Sequence, residues 1–314
     1  MLGAGWTAYE GLIRDALHSD IELLNNVNGS LLSNSGKQLR PILALLTAGA
    51  CGTPNDDSFH YAAATELLHN ATLLHDDVAD ESSLRRGRPT LAALMGSSPA
   101  VLVGDFWLAK AVGMVLGTVH ESQAIKLYAH TLSDLAEGEM LQLQKAETAD
   151  TTEEDYLRIV FCKTASLFES SCCAAALSVD ASPQLQEAAR RYGRACGIAF
   201  QIRDDIFDYW DEAAIGKPVG MDLKEQKITL PLLGALRNAP DEKRLRQMVL
   251  NVREHPENCA ELHRFVLDNG GVEYASARLD DYISEALDAL ACFPPGGEKD
   301  ALVELARYNA VRKK

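Results

Sequence analysis

Residues 63–80 read AATELLHNATLLHDDVAD, and this stretch decides the fold. Stepping 100° per residue around a helix places Thr65, His69, Thr72, Asp76 and Asp80 on one narrow stripe. The other directions carry Ala63, Ala64, Leu67, Leu68, Ala71, Leu74 and Val78. A helix apolar on nearly every side is buried. Its polar stripe is then expected to face an internal polar cavity rather than bulk water. Asp76, Asp77 and Asp80 form D-D-x-x-D, and Asp76 and Asp80 lie about 6 Å apart along the axis. Like charges at that spacing destabilise a helix unless a cation sits between them. Oxygen-only ligands suit Mg²⁺ or Ca²⁺ better than zinc.

Residues 200–209, FQIRDDIFDY, repeat the pattern with Asp204, Asp205 and Asp208. Gly197, Gln201, Asp204 and Asp208 share a stripe, with Ile198, Ala199, Ile202, Ile206 and Phe207 around them. Alone, D-D-x-x-D is a weak pattern that reads better as a solvated acidic helix end. Two copies, each on a helix this apolar, make that bland reading improbable. Two such helices facing each other are expected to form a carboxylate clamp. Six acids in one cavity repel each other unless several divalent cations neutralise them. Those cations in turn need an anionic ligand, and a diphosphate is the natural one.

Composition agrees with a buried helical core. The 314 residues are 47% hydrophobic and 24% charged, which argues against disorder. Aromatics are only 6%, so Leu and Ala, both strong helix formers, fill the interior. A formal charge of −15 disfavours nucleic acid as a partner. Seven cysteines without metal-type spacing read as buried free thiols in a reducing cytoplasm. The N-terminus lacks the basic region of a signal peptide, and the apolar run 41–52 is too short to span a membrane. No integral membrane segment is expected.

Helical periodicity dominates the chain. Helices are expected over 6–33, 38–51, 57–80, 90–95, 98–118, 121–145, 152–178, 183–212, 228–236, 241–254, 256–268, 271–292 and 298–312. Thr152 followed by three acids and Ser182-Pro183 are start signals. Short breaks such as RRGRP at 85–89 separate the helices, and none is a linker. One all-α domain over 1–314 is the expected organisation.

Basic residues recur near the acidic ones. Lys37 and Arg40 lie three apart in GKQLRP, Arg85 and Arg86 follow the first aspartates, and Lys163, Lys217 and Lys227 stand in CKTA, GKP and QKITLP. For any single lysine a surface ion pair is an equal reading. Arginines beside a metal–diphosphate site suit phosphate oxygens, which the guanidinium fork matches.

The ordered set G-K-x-x-R-P, two D-D-x-x-D, L-R-R-G-x-P-T, K-T-A, F-Q-x-x-D-D and G-K-P…T-L-P resembles the trans-isoprenyl diphosphate synthase family, from about residue 36 to 231. HNATLLHDDVADES, VLVGDF and AEGEMLQL look most like its long-chain octaprenyl and solanesyl members. The resemblance implies a single-domain helical bundle of the isoprenoid synthase type with a central active-site cavity, active as a homodimer. It implies that Lys37, Arg40, His69 and Arg86 hold the diphosphate of isopentenyl diphosphate. Arg85, Lys163, Lys217 and Lys227 would hold the allylic diphosphate. Three Mg²⁺ ions would be bound chiefly by Asp76, Asp80 and Asp204, with Asp77, Asp205 and Asp208 in support. Thr164 and Gln201 would face the allylic cation. Gln226 departs from the family, which often has Gly before this lysine; that could alter the turn.

Product length is expected to depend on what lies one turn before Asp76. Ala71 and Thr72 are smaller than the aromatics that close this position in short-chain relatives, and Leu68 continues down the helix. An elongated apolar tunnel and a long product, suited to quinone side chains, are therefore expected. Alternatives are a short-chain farnesyl or geranylgeranyl synthase and a non-catalytic partner subunit; the intact aspartates disfavour the latter. A terpene cyclase would not need the second diphosphate site, and a phosphohydrolase would not need apolar walls. The basic tail, Arg307 through Lys314, is open to two readings, folding over the diphosphate site or solvation, and solvation is the preferred one.

Overall fold

The computed structural model describes residues 3–34, 36–210 and 220–312, and it is all-α apart from one hairpin. Contacts group the chain into two compact units, each drawn from three stretches of sequence. The first comprises residues 1–128, 170–187 and 293–302; the second comprises 129–169, 188–292 and 303–314.

The first unit is built around α4 (Asp56–Ala79), on which α1 (Gly3–Ala16), α3 (Leu39–Cys51) and α6 (Ser97–Val115) pack. Asn55 starts α4 with a capping box: its side chain accepts the Ser58 N–H while Ser58 Oγ accepts the Asn55 N–H, both at 3.1 Å. Tyr61 through Leu68 are all buried, as the apolar pattern requires. Gly104 lets α6 approach, since a Cβ there would stand 2.3 Å from His75 Nε2. That accounts for the glycine in VLVGDF.

The second unit packs α10 (Pro183–Phe207) against the start of α9 (Ser166–Ser178) and the residues before it. A Cβ on Gly193 would lie 2.6 Å from Phe168 O, and one on Gly197 would lie 2.5 Å from Ala165 Cα. These glycines therefore serve backbone contact. Ile198, Ile202 and Ile206 of α10 share a core with Tyr156, Leu230, Val249, Leu262 and Leu279.

Four local features differ from the expected helices. The expected helix over 6–33 is two, α1 and α2 (Glu22–Leu32). Asn25 bonds both the N–H and C=O of Ser19, and Asn28 caps Leu17 O at 2.8 Å, so polar side chains replace the helical ladder. Residues 84–89 form a two-strand hairpin, Leu84–Arg85 with Arg88–Pro89. Its turn residues Arg86 and Gly87 both have positive φ, 53° and 75°, as a type I′ turn requires. The expected helix over 152–178 contains a π-helical turn, Phe161–Ala165, between α8 (Glu153–Val160) and α9. Finally, Thr65 does not face a cavity: Tyr128 Oη lies 2.9 Å away, from α7 (Glu121–Thr148), and Thr65 also donates to Tyr61 O. A side chain from α7 satisfies this end of the polar stripe. Among the cysteines, Cys162, Cys172 and Cys196 are buried but Cys292 is exposed.

Candidate active site

Each unit carries its own set of the expected residues. In the first, α4 ends in the acidic motif with its members in different surroundings. Asp76 is half-buried, Asp77 is buried and Asp80 is exposed. Asp77 Oδ1 accepts from Arg85 Nε at 2.7 Å. Arg85 lies on the first strand of the hairpin, just before its turn at Arg86-Gly87.

The same hairpin brings two basic motifs together. Arg86 donates to Asn34 O at 2.8 Å, and its guanidinium lies where a Cβ on Gly36 would be. Gly36 has φ +74°, so glycine is required there both for conformation and for room. Lys37 is exposed just beyond, and Arg40 opens α3. Burial pushes the Arg40 guanidinium down to about 10, opposed by Glu66 and reinforced by Arg86. Burial, then the fields of Arg40, Arg86 and Arg85, hold the His69 imidazole well below its usual value. His69 is therefore a neutral hydrogen-bonding group within a field of three arginines. Glu66, which carries no role in the sequence reading, is buried in the same field and accepts from Asn70 at 3.0 Å. Ala71 and Leu68 are buried, and Thr72 turns its hydroxyl back to His69 O.

In the second unit Lys163 projects from the π turn. Gly138 of α7 makes room, since a Cβ there would stand 2.6 Å from Cys162 Cβ and 2.9 Å from Lys163 Cγ. Glu139 pairs with the Lys163 ammonium, which also donates to Gln142 Oε1 at 3.0 Å. The AEGEMLQL motif is thus the seat of this lysine. Thr164 donates to Gln201 Oε1 at 2.8 Å, and Gln201 Nε2 donates to Asp205 Oδ1 at 2.8 Å. Tyr156 donates to the other Asp205 oxygen at 2.6 Å. Burial pushes Asp205 up to about 7 despite these two donors, with Asp204 and Asp208 adding to the rise.

The remaining acids are also held. Asp208 accepts from the backbone N–H groups of Met221 (2.9 Å) and Asp222 (3.0 Å), opening α11 (Met221–Lys224). Asp204 accepts from Arg312 at 2.8 Å. Of the two readings of the tail, solvation holds at Arg307, which is exposed, but not at Arg312, which is buried against Asp204. Lys227 pairs with Glu225. Gln226 has φ +61°, the region a glycine adopts freely. Its amide donates to Leu250 O at 2.5 Å, a side-chain bond that offsets the backbone cost. Lys217 lies outside the described residues.

Among the described residues no three His, Cys, Asp or Glu side chains converge as a metal cage. The donor set nonetheless fits Mg²⁺. Every expected ligand is a carboxylate oxygen, and the Asp204 side chain is 40% exposed while Asp205 is buried. Mg²⁺ takes one or two carboxylates plus substrate phosphates and keeps several waters, so it needs no preformed cage.

The sequence reading missed Tyr156, Glu139, Gln142, Glu66 and Arg312. Glu66 lies one helical turn from Asn70, but the others are far in sequence from the site residues they hold; Tyr156 and Asp205 are 49 residues apart.

An all-α chain with two such carboxylate sets and clustered arginines has the makings of a diphosphate-handling enzyme. A family model described as Polyprenyl synthetase matches residues 21–266. The chain belongs to the polyprenyl synthetase family. It is 38% identical over 311 residues to the all-trans-nonaprenyl-diphosphate synthase (geranyl-diphosphate specific) of Rhodobacter capsulatus, covering 98% of this chain and 94% of that one. It is 37% identical over 307 residues to octaprenyl diphosphate synthase of Escherichia coli K12, covering 96% and 93%. The crystal structure of polyprenyl synthase from Caulobacter crescentus CB15, complexed with calcium and isoprenyl diphosphate, shares the fold with a TM-score of 0.91. That protein is 35% identical, with 100% of this chain and 96% of that chain covered.

Proposed function

We propose that the chain is a Mg²⁺-dependent prenyltransferase. It joins isopentenyl diphosphate head-to-tail to an allylic prenyl diphosphate and repeats the addition to a long all-trans polyprenyl diphosphate. The observation that carries this reading is a device found once in each unit. A D-D-x-x-D motif has its second aspartate buried and tied, Asp77 to Arg85 and Asp205 to Tyr156 and Gln201. Its first aspartate, Asp76 or Asp204, is more open.

In this reading Asp76, Asp80 and Asp204 are the principal ligands of three Mg²⁺ ions, and Asp77, Asp205 and Asp208 orient them. The ions supply charge neutralisation for the diphosphate that leaves C1 of the allylic substrate. Arg85, Lys163, Lys217 and Lys227 bind that diphosphate, and Lys37, Arg40, His69 and Arg86 bind the one on isopentenyl diphosphate. A neutral His69 contributes a hydrogen bond there, and the arginines contribute the charge. Thr164 and Gln201 fix each other, so oriented dipoles rather than mobile water meet the developing allylic cation. The double bond of isopentenyl diphosphate attacks C1, and the proton lost from that unit passes to the released diphosphate.

The relatives' long products and the small Ala71 and Thr72 support a long chain, of the kind that forms quinone side chains. A homodimer is supported by α6, where Leu102, Val112 and, just beyond, Leu116 are exposed at near-helical spacing on one side. By length and composition Ser97–Val115 could span a membrane, with only 39% of its apolar window buried. In this reading a second copy covers that face. A cytoplasmic location is proposed from the cysteine content.

The test is incorporation of labelled isopentenyl diphosphate into extractable product by the purified chain with Mg²⁺ and farnesyl diphosphate. Incorporation that falls at least about 100-fold in Asp76→Asn and in Asp204→Asn is expected. No incorporation by the wild-type chain would overturn the reading.

A further inference from the structure

Arg312, the residue after the last helix (Gly297–Val311), turns its side chain inward and is 4% exposed. Its Nη2 donates to Asp204 Oδ1 and to Phe200 O, both at 2.8 Å. Its guanidinium lies 4.0 Å over the Phe200 ring and 5.2 Å from the Phe207 ring. Its own carbonyl accepts from Arg203 Nε at 3.1 Å and Nη2 at 2.9 Å. Arg203 in turn stacks 4.4 Å over Trp210. A guanidinium does not shed its proton, so burial requires that it be paired.

The carboxylate it meets belongs to an acidic group. The negative charges of Asp204 and Asp208 act on Asp205, and those of Asp205 and Asp208 act on Asp222. Without a divalent ion, this group needs a positive charge from the protein. The pair is lopsided: the Arg312 side chain is 3% exposed and the Asp204 side chain 40%. A cation arriving from solvent reaches Asp204 on its open side, while the guanidinium holds it from within. Two fixed positive charges on one carboxylate repel each other.

We infer that Arg312 is the counter-ion of the second carboxylate set while that set holds no cation, and that a docked Arg312 and a cation on Asp204 exclude each other. This deepens the reading of Asp204 as a cation ligand and rests on it. Loading the cation releases the Arg312 side chain, and docking of the side chain weakens cation binding. The residue after the last helix thereby reports on the state of the second carboxylate set.

The experiment uses the full chain, stripped with chelator, with Mn²⁺ alone as the probe read by electron paramagnetic resonance. A background of D76N and D80N silences the first set. Arg312→Gln is expected to tighten Mn²⁺ binding by about fivefold or more, and Asp204→Asn to weaken it. If R312Q binds Mn²⁺ no more tightly while D204N still binds weakly, the inference falls and the reading of Asp204 stands. If D204N binds as well as its parent, both fall. Hydrogen–deuterium exchange on the unaltered chain gives an independent readout should R312Q not fold. Mn²⁺ is expected to speed exchange over residues 308–312, and equal exchange with and without Mn²⁺ overturns the inference.

Discussion

Gly197→Ala tests how packing sets the chemistry. The added Cβ would stand 2.5 Å from Ala165 Cα, 2.8 Å from Ala165 Cβ and 3.1 Å from Phe168 Cβ. Ordinary contacts begin near 3.4 Å, so α10 must withdraw by about 1 Å from the π turn and α9. Ala165 offers backbone rather than a side chain that swings aside. The Thr164–Gln201 bond, 2.8 Å in the structure, joins the same two elements. A withdrawal of about 1 Å takes it beyond hydrogen-bond range. Overpacking costs about 1–3 kcal/mol, and the lost bond adds about 1 kcal/mol. A displacement of that size at reacting groups lowers turnover by about 100-fold. Urea denaturation followed by circular dichroism gives the first quantity, and initial rates give the second. Gly11→Ala is the control, because nothing lies within 4 Å of its Cβ. There, relief of glycine's backbone entropy is expected to stabilise by up to about 1 kcal/mol. A G197A protein as stable and as fast as wild type would refute the argument that close approach at Gly197 positions Gln201.

Three further outcomes follow from the first unit. Arg85→Gln leaves Asp77, 6% exposed, without its guanidinium partner. Breaking a buried pair costs several kcal/mol, but Arg85 is 37% exposed, so a loss of about 1–3 kcal/mol is expected in denaturant titration. His69 is held below 6.5 in the folded chain and titrates near 6.5 unfolded. Its contribution to stability is therefore present above pH 6.5 and lost as pH falls below it, where only the unfolded chain takes up the proton. Melting temperatures across that range should fall more steeply for wild type than for His69→Gln; parallel curves would contradict the assignment. Ala71→Phe fills a buried position five residues before Asp76, beside Thr72, and is expected to shorten the product, read by chromatography. Unchanged length would remove Ala71 from the control of chain length.

Much of this was legible because it is local. The alternation of Leu and Ala with one polar stripe in residues 63–80 predicted a buried helix, and α4 is one. The stripe in residues 197–208 set Gln201 beside the second acidic motif, and the structure shows that its hydrogen-bond partner there is Asp205. Hidden features depend on partners distant in sequence or on backbone detail. Two-residue strands are too short to show alternation, so the hairpin that carries Arg85 reads as a simple break. A π turn has no pattern distinct from an α-helix, although Gly138 and Lys163 depend on it. Thr65 fell on a polar stripe, but only the fold reveals that Tyr128 satisfies it. Arg312 lies 108 residues from Asp204, and a basic run at a helix end reads as solvated until its burial is seen.

The central claim is repeated elongation by this chain alone. Its most direct test is the length distribution of the products formed by the purified chain from farnesyl diphosphate, excess isopentenyl diphosphate and Mg²⁺. The account predicts a ladder that ends in a long all-trans polyprenyl diphosphate. Products that stop after one addition, or no product at all, would contradict it.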